Sequence, residues 1–164
     1  MRAKDAEDNY DKSSLKILWI TICFSTTIGI LISNSNFVLT QKYTTFVYNS
    51  GISLICIGLI IRWIAILKLK KSFTVNLSVS ENQIIVQTGI YKKIRHPSYL
   101  GSLLSFFGFG LVFNNWFTLT IIFIPILFSF IYRIRIEEKL LSQIFGIQYT
   151  NYIENSWKLV PRVF

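Results

Sequence analysis

Long runs of apolar residues without charge set the architecture of this chain. No Asp, Glu, Lys or Arg stands between Lys16 and Lys42, and none stands between Arg95 and Arg133. A helix rises about 1.5 Å per residue, so runs of this length can cross a hydrocarbon core about 30 Å thick. The sequence is also 52% hydrophobic, which is too apolar for an ordinary soluble domain of 164 residues. We therefore predict an all-α integral membrane protein.

About four transmembrane helices are predicted, each bounded by polar or charged residues. The last two should form a hairpin, because Asn114 and Asn115 make a polar turn between them. Gly51 and Gly58 in the second helix would allow another helix to approach closely. The predicted spans are 15–33, 46–67, 98–113 and 116–132.

The polar ends of the chain complete a single membrane domain over 1–164. Residues 1–14 mix both signs of charge and are predicted to form a mobile, solvated tail. Residues 133–164 are predicted to be a cytosolic or interfacial segment. Since no breaker follows Tyr132, the fourth helix should continue out of the membrane to about Phe145, and Gly146 should end it.

Basic residues are unevenly distributed between the two sides of this predicted topology. The segment between the second and third spans and the C-terminal segment carry most of them, whereas the two loops on the opposite side carry only Lys42. The positive-inside rule then places both termini and both basic segments in the cytosol. The net charge of +9 is thereby explained by topology and by contact with membrane lipids, so nucleic acid is not an expected partner. Cys23 and Cys56 lie in apolar runs without metal-ligand spacing, and no metal site is expected.

A polar stretch from Thr88 to Gly101 interrupts the apolar halves and contains the only histidine, His96. Pro97 favours the start of a helix, because its missing N–H group is not needed in the first turn. The unpaired N–H groups of a helix start, next to cations, are a potential site for a carboxylate or another anion. On the positive-inside assignment, this stretch lies on the same side of the membrane as Arg133 and Glu137.

Arg133 and Glu137 are four residues apart, so they share one helix face. Glu138 has the spacing to pair with Arg135. Such pairs are often surface salt bridges of little energetic value, but at the membrane exit of a helix they more often face a cavity. Arg62 lies in the last turns of the second span. We expect its side chain to extend towards the nearby membrane surface, the alternative being a polar cavity.

These motifs, taken in order, resemble the isoprenylcysteine carboxyl methyltransferase family. The similarity runs from about Gln83 to Pro161. Its central motif is G-x-Y-x-x-x-R-H-P-x-Y-x-G, and R-x-x-x-E-E and F-G-x-x-Y-x-x-Y follow after a helical hairpin. In this chain the motifs correspond to Gly89, Tyr91, Arg95–Gly101, Arg133, Glu137, Glu138, Phe145, Gly146, Tyr149 and Tyr152.

The resemblance implies a membrane enzyme that uses S-adenosyl-L-methionine, releases S-adenosyl-L-homocysteine and methylates a lipophilic carboxylate that arrives from the bilayer. It assigns Arg133 as the catalytic, substrate-binding residue. Gln83 departs from the histidine that relatives often carry in that segment, which leaves only a backbone contact there. The cofactor contacts that it implies are Gln83, Ile84, Ile85, Val86, Tyr91, His96, Pro97, Ser98, Tyr99 and Glu137.

The chemistry of these residues agrees with carboxyl methylation but leaves other functions open. A carboxylate is already an anion at neutral pH, so its methylation requires alignment, exclusion of water and a cation such as Arg133. Methylation of an amine, as in a phospholipid N-methyltransferase, would require a base, for which Glu138 or His96 is a candidate. An NADPH-dependent sterol-type membrane reductase and a non-catalytic membrane scaffold are the remaining alternatives.

Overall fold

A computed structural model describes residues 2–33, 44–69 and 85–161, with side chains from residue 13 onwards. Its described helices are α1 (Arg2–Ile32), α2 (Thr44–Leu69), a short 3-10 helix (Gly89–Lys92), α3 (Pro97–Val112), α4 (Trp116–Phe145) and α5 (Ile147–Glu154). Of the predicted cofactor segment, Gln83 and Ile84 lie outside the described residues, whereas Ile85 and Val86 are included.

The first helix begins at Arg2, so residues 2–14, which were predicted to form a tail, are helical. The sequence contains no glycine before Gly29 and no proline before Pro97. Once the apolar part of α1 is helical, the residues that precede it extend the helix at the low cost of propagation. Polarity alone does not end a helix, and here it only marks where the helix leaves the apolar environment.

Three of the described helices are long and apolar enough to cross a membrane, and they contain Ser13–Ile32, Thr44–Leu69 and Trp116–Phe145. The predicted third span corresponds to α3, which has 16 residues. Its length is about 24 Å at 1.5 Å per residue, less than the usual thickness of the hydrocarbon core.

The α2 and α3 helices pack against each other through two pairs of glycines. A Cβ atom at Gly101 would lie 2.5 Å from the Gly58 carbonyl oxygen, and one at Gly108 would lie 2.5 Å from that of Gly51. The pairs are seven residues apart on each helix, which is two turns, so both contacts fall on one antiparallel seam. The prediction that Gly51 and Gly58 permit a close helix approach is confirmed.

The α3 and α4 helices form the predicted hairpin. Asn114 adopts a left-handed conformation with φ of 48°, and the side chain of Asn115 accepts hydrogen bonds from the N–H groups of Phe117 and Thr118. These two bonds cap the start of α4. As predicted, α4 continues past the charged residues to Phe145 and ends at Gly146, whose φ is 52°.

The α1 helix packs along α4, where the Thr118 hydroxyl donates to the carbonyl of Gly29 at 3.2 Å. The buried core lies mainly between α1, α3 and α4. Leu159, beyond α5, joins the same core, so the C-terminal segment is part of the packed structure. The core residues are Leu18, Leu103, Ile122, Ile126, Phe130, Ile134 and Leu159.

Candidate active site

The C-terminal segment is joined to the central motif by backbone hydrogen bonds. The N–H of Arg95 donates to the carbonyl of Trp157 at 2.8 Å, and the N–H of Trp157 donates to the carbonyl of Lys93 at 2.9 Å. The N–H of His96 donates to the carbonyl of Lys158 at 3.0 Å. These bonds hold the residues that precede α3 against the residues that follow α5, and they fix the position of the His96 side chain.

Arg95 connects three elements and is itself buried, with 7% of its surface exposed. Its Nε atom lies 2.9 Å from Oε1 of Glu138 on α4. Its Nη1 atom donates to the carbonyl of Ile153 at 3.1 Å and also to the carbonyl of Ser156. Arg95 therefore ties the central motif to both α4 and the end of α5.

Glu138 has different partners from the one its sequence spacing indicates. Besides Arg95, it faces Lys158, whose Nζ lies 3.2 Å from Oε2 of Glu138, while Arg135 is exposed. The expected pair of Glu138 with Arg135 is wrong. Arg135 is exposed, and the Glu138 carboxylate is instead paired with Arg95 and Lys158, which come from two distant segments. Two close cations hold Glu138 as an anion, which makes it a poor general base.

Glu137 points into the bundle, where Tyr99 and His96 surround it. The Tyr99 hydroxyl donates to Oε2 of Glu137 at 2.6 Å, and His96 Nδ1 lies 3.9 Å from the same oxygen. The rings of His96 and Tyr99 are stacked, with centroids 5.5 Å apart and planes 3° apart. Glu137 thus forms one polar cluster with His96 and Tyr99, which lie about forty positions earlier in the sequence.

Arg133 lies one turn before Glu137 on α4 and is 3% exposed. Its Nη1 atom donates to the Ser14 hydroxyl oxygen at 2.6 Å, and the guanidinium also interacts with the Tyr99 hydroxyl. Ser14 is 1% exposed and belongs to the part of α1 that was predicted to be a tail. The helical extension of α1 therefore supplies a residue that orients the predicted catalytic arginine.

A cavity of about 760 Å³ connects this cluster with apolar walls from four helices. Tyr99, Arg133 and Glu137 line its polar part, and Phe106 and Phe109 line its apolar part. Of the three phenylalanines in this part of α3, Phe106 and Phe109 therefore face the cavity. Phe107 instead packs edge-on against Phe123.

The cavity collects most of the site residues that the sequence predicts. Pro97 is buried at the first position of α3 without lining the cavity. Gln83 and Ile84 are not among the described residues. The predicted residues that line the cavity are Ile85, Val86, Tyr91, His96, Ser98, Tyr99, Arg133 and Glu137.

The start of α3 offers fewer free N–H groups than a helix start normally does. Pro97 has none, and the N–H groups of Tyr99 and Leu100 both donate to the carbonyl of His96, at 3.1 Å each. Within the first turn, Ser98 is left with an N–H group that has no acceptor in the helix. Side chains must therefore supply most of the polar contacts to any anion at this position.

Three tyrosines close the polar part of the cavity. The Tyr91 hydroxyl donates to the carbonyl of Ala65 at 3.3 Å, and the Tyr152 hydroxyl donates to the carbonyl of Tyr91. Burial raises the pKa of Tyr91 and of Tyr149 well above the ordinary value; the negative charge of Glu137 adds to this effect at both tyrosines, and that of Glu138 adds to it at Tyr149. Burial also raises the pKa of Tyr152 to about 12, although the nearby Arg95 opposes the change. These phenols are neutral at physiological pH, so they can donate hydrogen bonds but do not act as bases.

Arg62 differs from its predicted orientation. Its side chain lines the cavity, and Nη1 donates to the hydroxyl of Ser102 on α3. The expected extension towards the membrane surface is therefore wrong. The close α2–α3 seam places Arg62 beside Gly101, so its side chain is directed into the bundle.

Sequence reasoning missed several residues that line this cavity or orient its side chains. Arg62 carried a usable signal, since a charge within an apolar helix is costly unless it faces a polar interior. Tyr149 and Tyr152 belonged to a recognised motif, but no role was assigned to them. Ser14 carried no signal, because its importance depends on contact with a residue 119 positions away.

Comparisons with known proteins identify the family. The model of the isoprenylcysteine carboxyl methyltransferase family matches residues 51–143, more than half of the chain. Protein-S-isoprenylcysteine O-methyltransferase A of Arabidopsis thaliana is 35% identical over 124 residues, which are 74% of this chain and 63% of the relative. The Saccharomyces cerevisiae protein-S-isoprenylcysteine O-methyltransferase is 37% identical over 105 residues, which are 62% of this chain and 44% of the relative. The chain thus spans less than two thirds of the length of these relatives.

A solved structure agrees with the sequence comparison. The eukaryotic intramembrane Ras methyltransferase ICMT superimposes with a TM-score of 0.66 and 27% identity, over 84% of this chain and 52% of that one. The three apolar helices long enough to cross a membrane agree with the intramembrane character of that protein. The resemblance that the motifs indicated is confirmed, and the chain belongs to the isoprenylcysteine carboxyl methyltransferase family.

Proposed function

We propose that this protein transfers a methyl group from S-adenosyl-L-methionine to the carboxylate of a lipophilic acid, a prenylcysteine or a similar lipid-linked acid. The products are a methyl ester and S-adenosyl-L-homocysteine. The observation that carries the proposal is one cavity in which Arg133 and Glu137 adjoin apolar walls from α1, α2 and α3. The names of the relatives, protein-S-isoprenylcysteine O-methyltransferases, describe the same type of reaction.

The polar part of the cavity fits the charged cofactor. Glu137 supplies the carboxylate that an amino-acid ammonium group needs, and Tyr99 holds this carboxylate in place at 2.6 Å. His96 and Ser98, at the start of α3, adjoin it. The volume of about 760 Å³ lies within the range of roughly 300–1,000 Å³ that small-molecule and cofactor sites occupy. We assign the remaining lining residues Ile85, Val86 and Tyr91 to contacts with the same ligand.

Arg133 is the residue that we assign to the acceptor carboxylate. A guanidinium can hold both carboxylate oxygens at once, which directs one oxygen towards the methyl group. The cofactor supplies an electrophilic methyl group on a sulfonium. The carboxylate oxygen forms the new bond, and the electron pair of the broken S–C bond stays on sulfur. No proton moves, so the site needs no general base.

The apolar part of the cavity is suited to the lipid chain. Trp19 and Ile30 on α1 and Leu59 on α2 line the cavity and are each more than 40% exposed, so its wall is partly open at the bundle surface. A substrate dissolved in the bilayer would reach Arg133 sideways along Phe106 and Phe109. In this proposal α3 completes a four-span topology, and the polar part of the cavity opens to the cytosol.

A labelled-methyl assay tests the function. The purified full chain in lipid nanodiscs is incubated with cofactor labelled at the methyl group and with a prenylated cysteine acid. We expect base-labile label in the lipid product, as a methyl ester requires. Base-stable label on an amine lipid would instead establish an N-methyltransferase. Binding of NADPH in the absence of S-adenosyl-L-homocysteine binding would establish a reductase.

A further inference from the structure

Three arginines line the cavity, namely Arg133, Arg95, which is paired with Glu138, and Arg62, which the carboxyl methylation proposed above does not yet use. Arg62 lies on α2, within a helix long and apolar enough to cross a membrane, and its side chain is half-buried. A charged side chain at such a depth in the membrane costs free energy unless it faces a polar interior or a ligand. Its guanidinium lines the cavity, which satisfies that condition.

The contacts of Arg62 leave its charge without a described counter-ion. Its partner is the hydroxyl of Ser102, which is neutral. Ser102 is buried and in turn donates to the carbonyl of Ser98 at 3.0 Å, so its hydroxyl is held in one orientation. Among the side chains that the structure describes, Glu137 is the one carboxylate that lines the cavity, and it accepts the Tyr99 hydroxyl. The cavity wall therefore has an excess of positive charge near Arg62.

The position of Arg62 separates it from the cofactor cluster. Ser102 lies one turn further along α3 than Ser98, away from the polar start of that helix. The neighbouring lining residues on α2 are Leu59 and Ile55, one and two turns further towards the apolar part. Arg62 thus lies at the border between the polar end and the lipid chamber, where the head group of an amphiphilic acid would be located.

We propose that Arg62 is a specificity-determining residue that binds the anionic head group of the lipid acid together with Arg133. This inference rests on the proposed function, because it names the acceptor carboxylate as the ligand. Two guanidinium groups around one small cavity favour an anion and disfavour a cation by like-charge repulsion. Arg62 would therefore select acids over amine lipids, which are cationic at neutral pH.

The test measures binding separately from turnover. Full-length wild type and Arg62→Met in nanodiscs are titrated with N-acetyl-S-farnesylcysteine, with its neutral methyl ester and with S-adenosyl-L-homocysteine. Removal of one charge-assisted contact should weaken binding of the acid about 10-fold or more. Binding of the methyl ester and of S-adenosyl-L-homocysteine should stay within about twofold of wild type, as expected for groups that Arg62 does not contact. Arg62→Lys should restore part of the acid binding.

Lys68→Met is the matched control, because Lys68 is an exposed cation in the last turn of the same helix and does not line the cavity. It should bind all three ligands as wild type does. Unchanged acid binding in Arg62→Met would overturn the inference, and so would an equal loss of S-adenosyl-L-homocysteine binding, which would assign Arg62 to the cofactor. If the wild type binds the acid but forms no base-labile ester, the proposed function is refuted. The role of Arg62 is still tested in that case, because binding of the acid and of its methyl ester can be compared between wild type and Arg62→Met.

Discussion

Replacement of Glu137 by glutamine is the most direct test of the cofactor site. Glutamine keeps the shape of the side chain and can still accept the hydrogen bond that the Tyr99 hydroxyl donates at 2.6 Å. The substitution therefore removes the negative charge with little change in packing. If Glu137 holds the ammonium group of the cofactor, the loss falls on binding and leaves the fold intact.

The expected magnitude follows from the type of contact. Glu137 is largely buried, with 19% of its side chain exposed, so solvent screens its charge only in part. A hydrogen bond to a charged group contributes about 1.5–3 kcal/mol. Since about 1.4 kcal/mol corresponds to a factor of ten, Glu137→Gln should weaken binding of S-adenosyl-L-homocysteine by roughly 10- to 150-fold.

Equilibrium binding of labelled S-adenosyl-L-homocysteine to the full chain in nanodiscs measures this change. Glu154→Gln is the matched control, because Glu154 is an exposed carboxylate on α5 and its loss should leave binding unchanged. Tyr99→Phe should weaken binding less than Glu137→Gln, since it removes only the group that orients the carboxylate. Wild-type affinity in Glu137→Gln, with unchanged thermal unfolding, would refute the assignment of Glu137 to the cofactor.

Three further substitutions test the fold and the orientation of the site. Gly101→Ala should destabilise the protein by about 1–3 kcal/mol in thermal unfolding, because the new Cβ would lie 2.5 Å from the carbonyl oxygen of Gly58. Arg95→Met should cost about 3–5 kcal/mol, because the buried Glu138 carboxylate keeps only Lys158 as a cation and the carbonyls of Ile153 and Ser156 lose their donor; limited proteolysis should then cut the C-terminal segment faster. Ser14→Ala should raise the KM of the lipid acid several-fold through misorientation of Arg133, with cofactor affinity unchanged.

Each of these three substitutions has a control substitution elsewhere in the chain. Gly29→Ala should cost less than Gly101→Ala, because its Cβ would meet the buried side chain of Ile122 at 2.4 Å, which can repack in part, whereas the backbone of α2 cannot move aside. Lys93→Met and Ser13→Ala change exposed neighbours of Arg95 and Ser14 and should have little effect. Equal losses in a substitution and its control would show that the named contact does not cause the effect.

The helical class and the approximate spans could be predicted from the chain because the signal is local. Uncharged apolar runs, the turn at Asn114 and Asn115, and the stop at Gly146 all act within a few residues. The beginning of α1 could not be predicted in this way. Whether a polar segment continues a helix depends on the absence of a breaker and on contacts with other elements, and the contact of Ser14 with Arg133 lies 119 residues away.

Some features of the candidate site could likewise be predicted from the sequence, and others required the structure. Motif order indicated Tyr91, His96, Tyr99, Arg133 and Glu137, and the structure brings all of them to one cavity. The different roles of the adjacent carboxylates Glu137 and Glu138 could not be predicted from the sequence. Neighbours in sequence point about 100° apart on a helix, so Glu137 faces the cavity while Glu138 faces Arg95 and Lys158.

The sequence by itself determined the membrane class, the family and the set of residues from which the site is built, because apolar length, charge order and motif spacing are properties of the chain. The tertiary structure alone decided which charges meet. Arg95 reaches Glu138 across 43 positions, and the seam of glycines between α2 and α3 directs Arg62 into the cavity. Spacing along a helix reveals only partners on the same helix, whereas ion pairs between elements depend on how the helices pack.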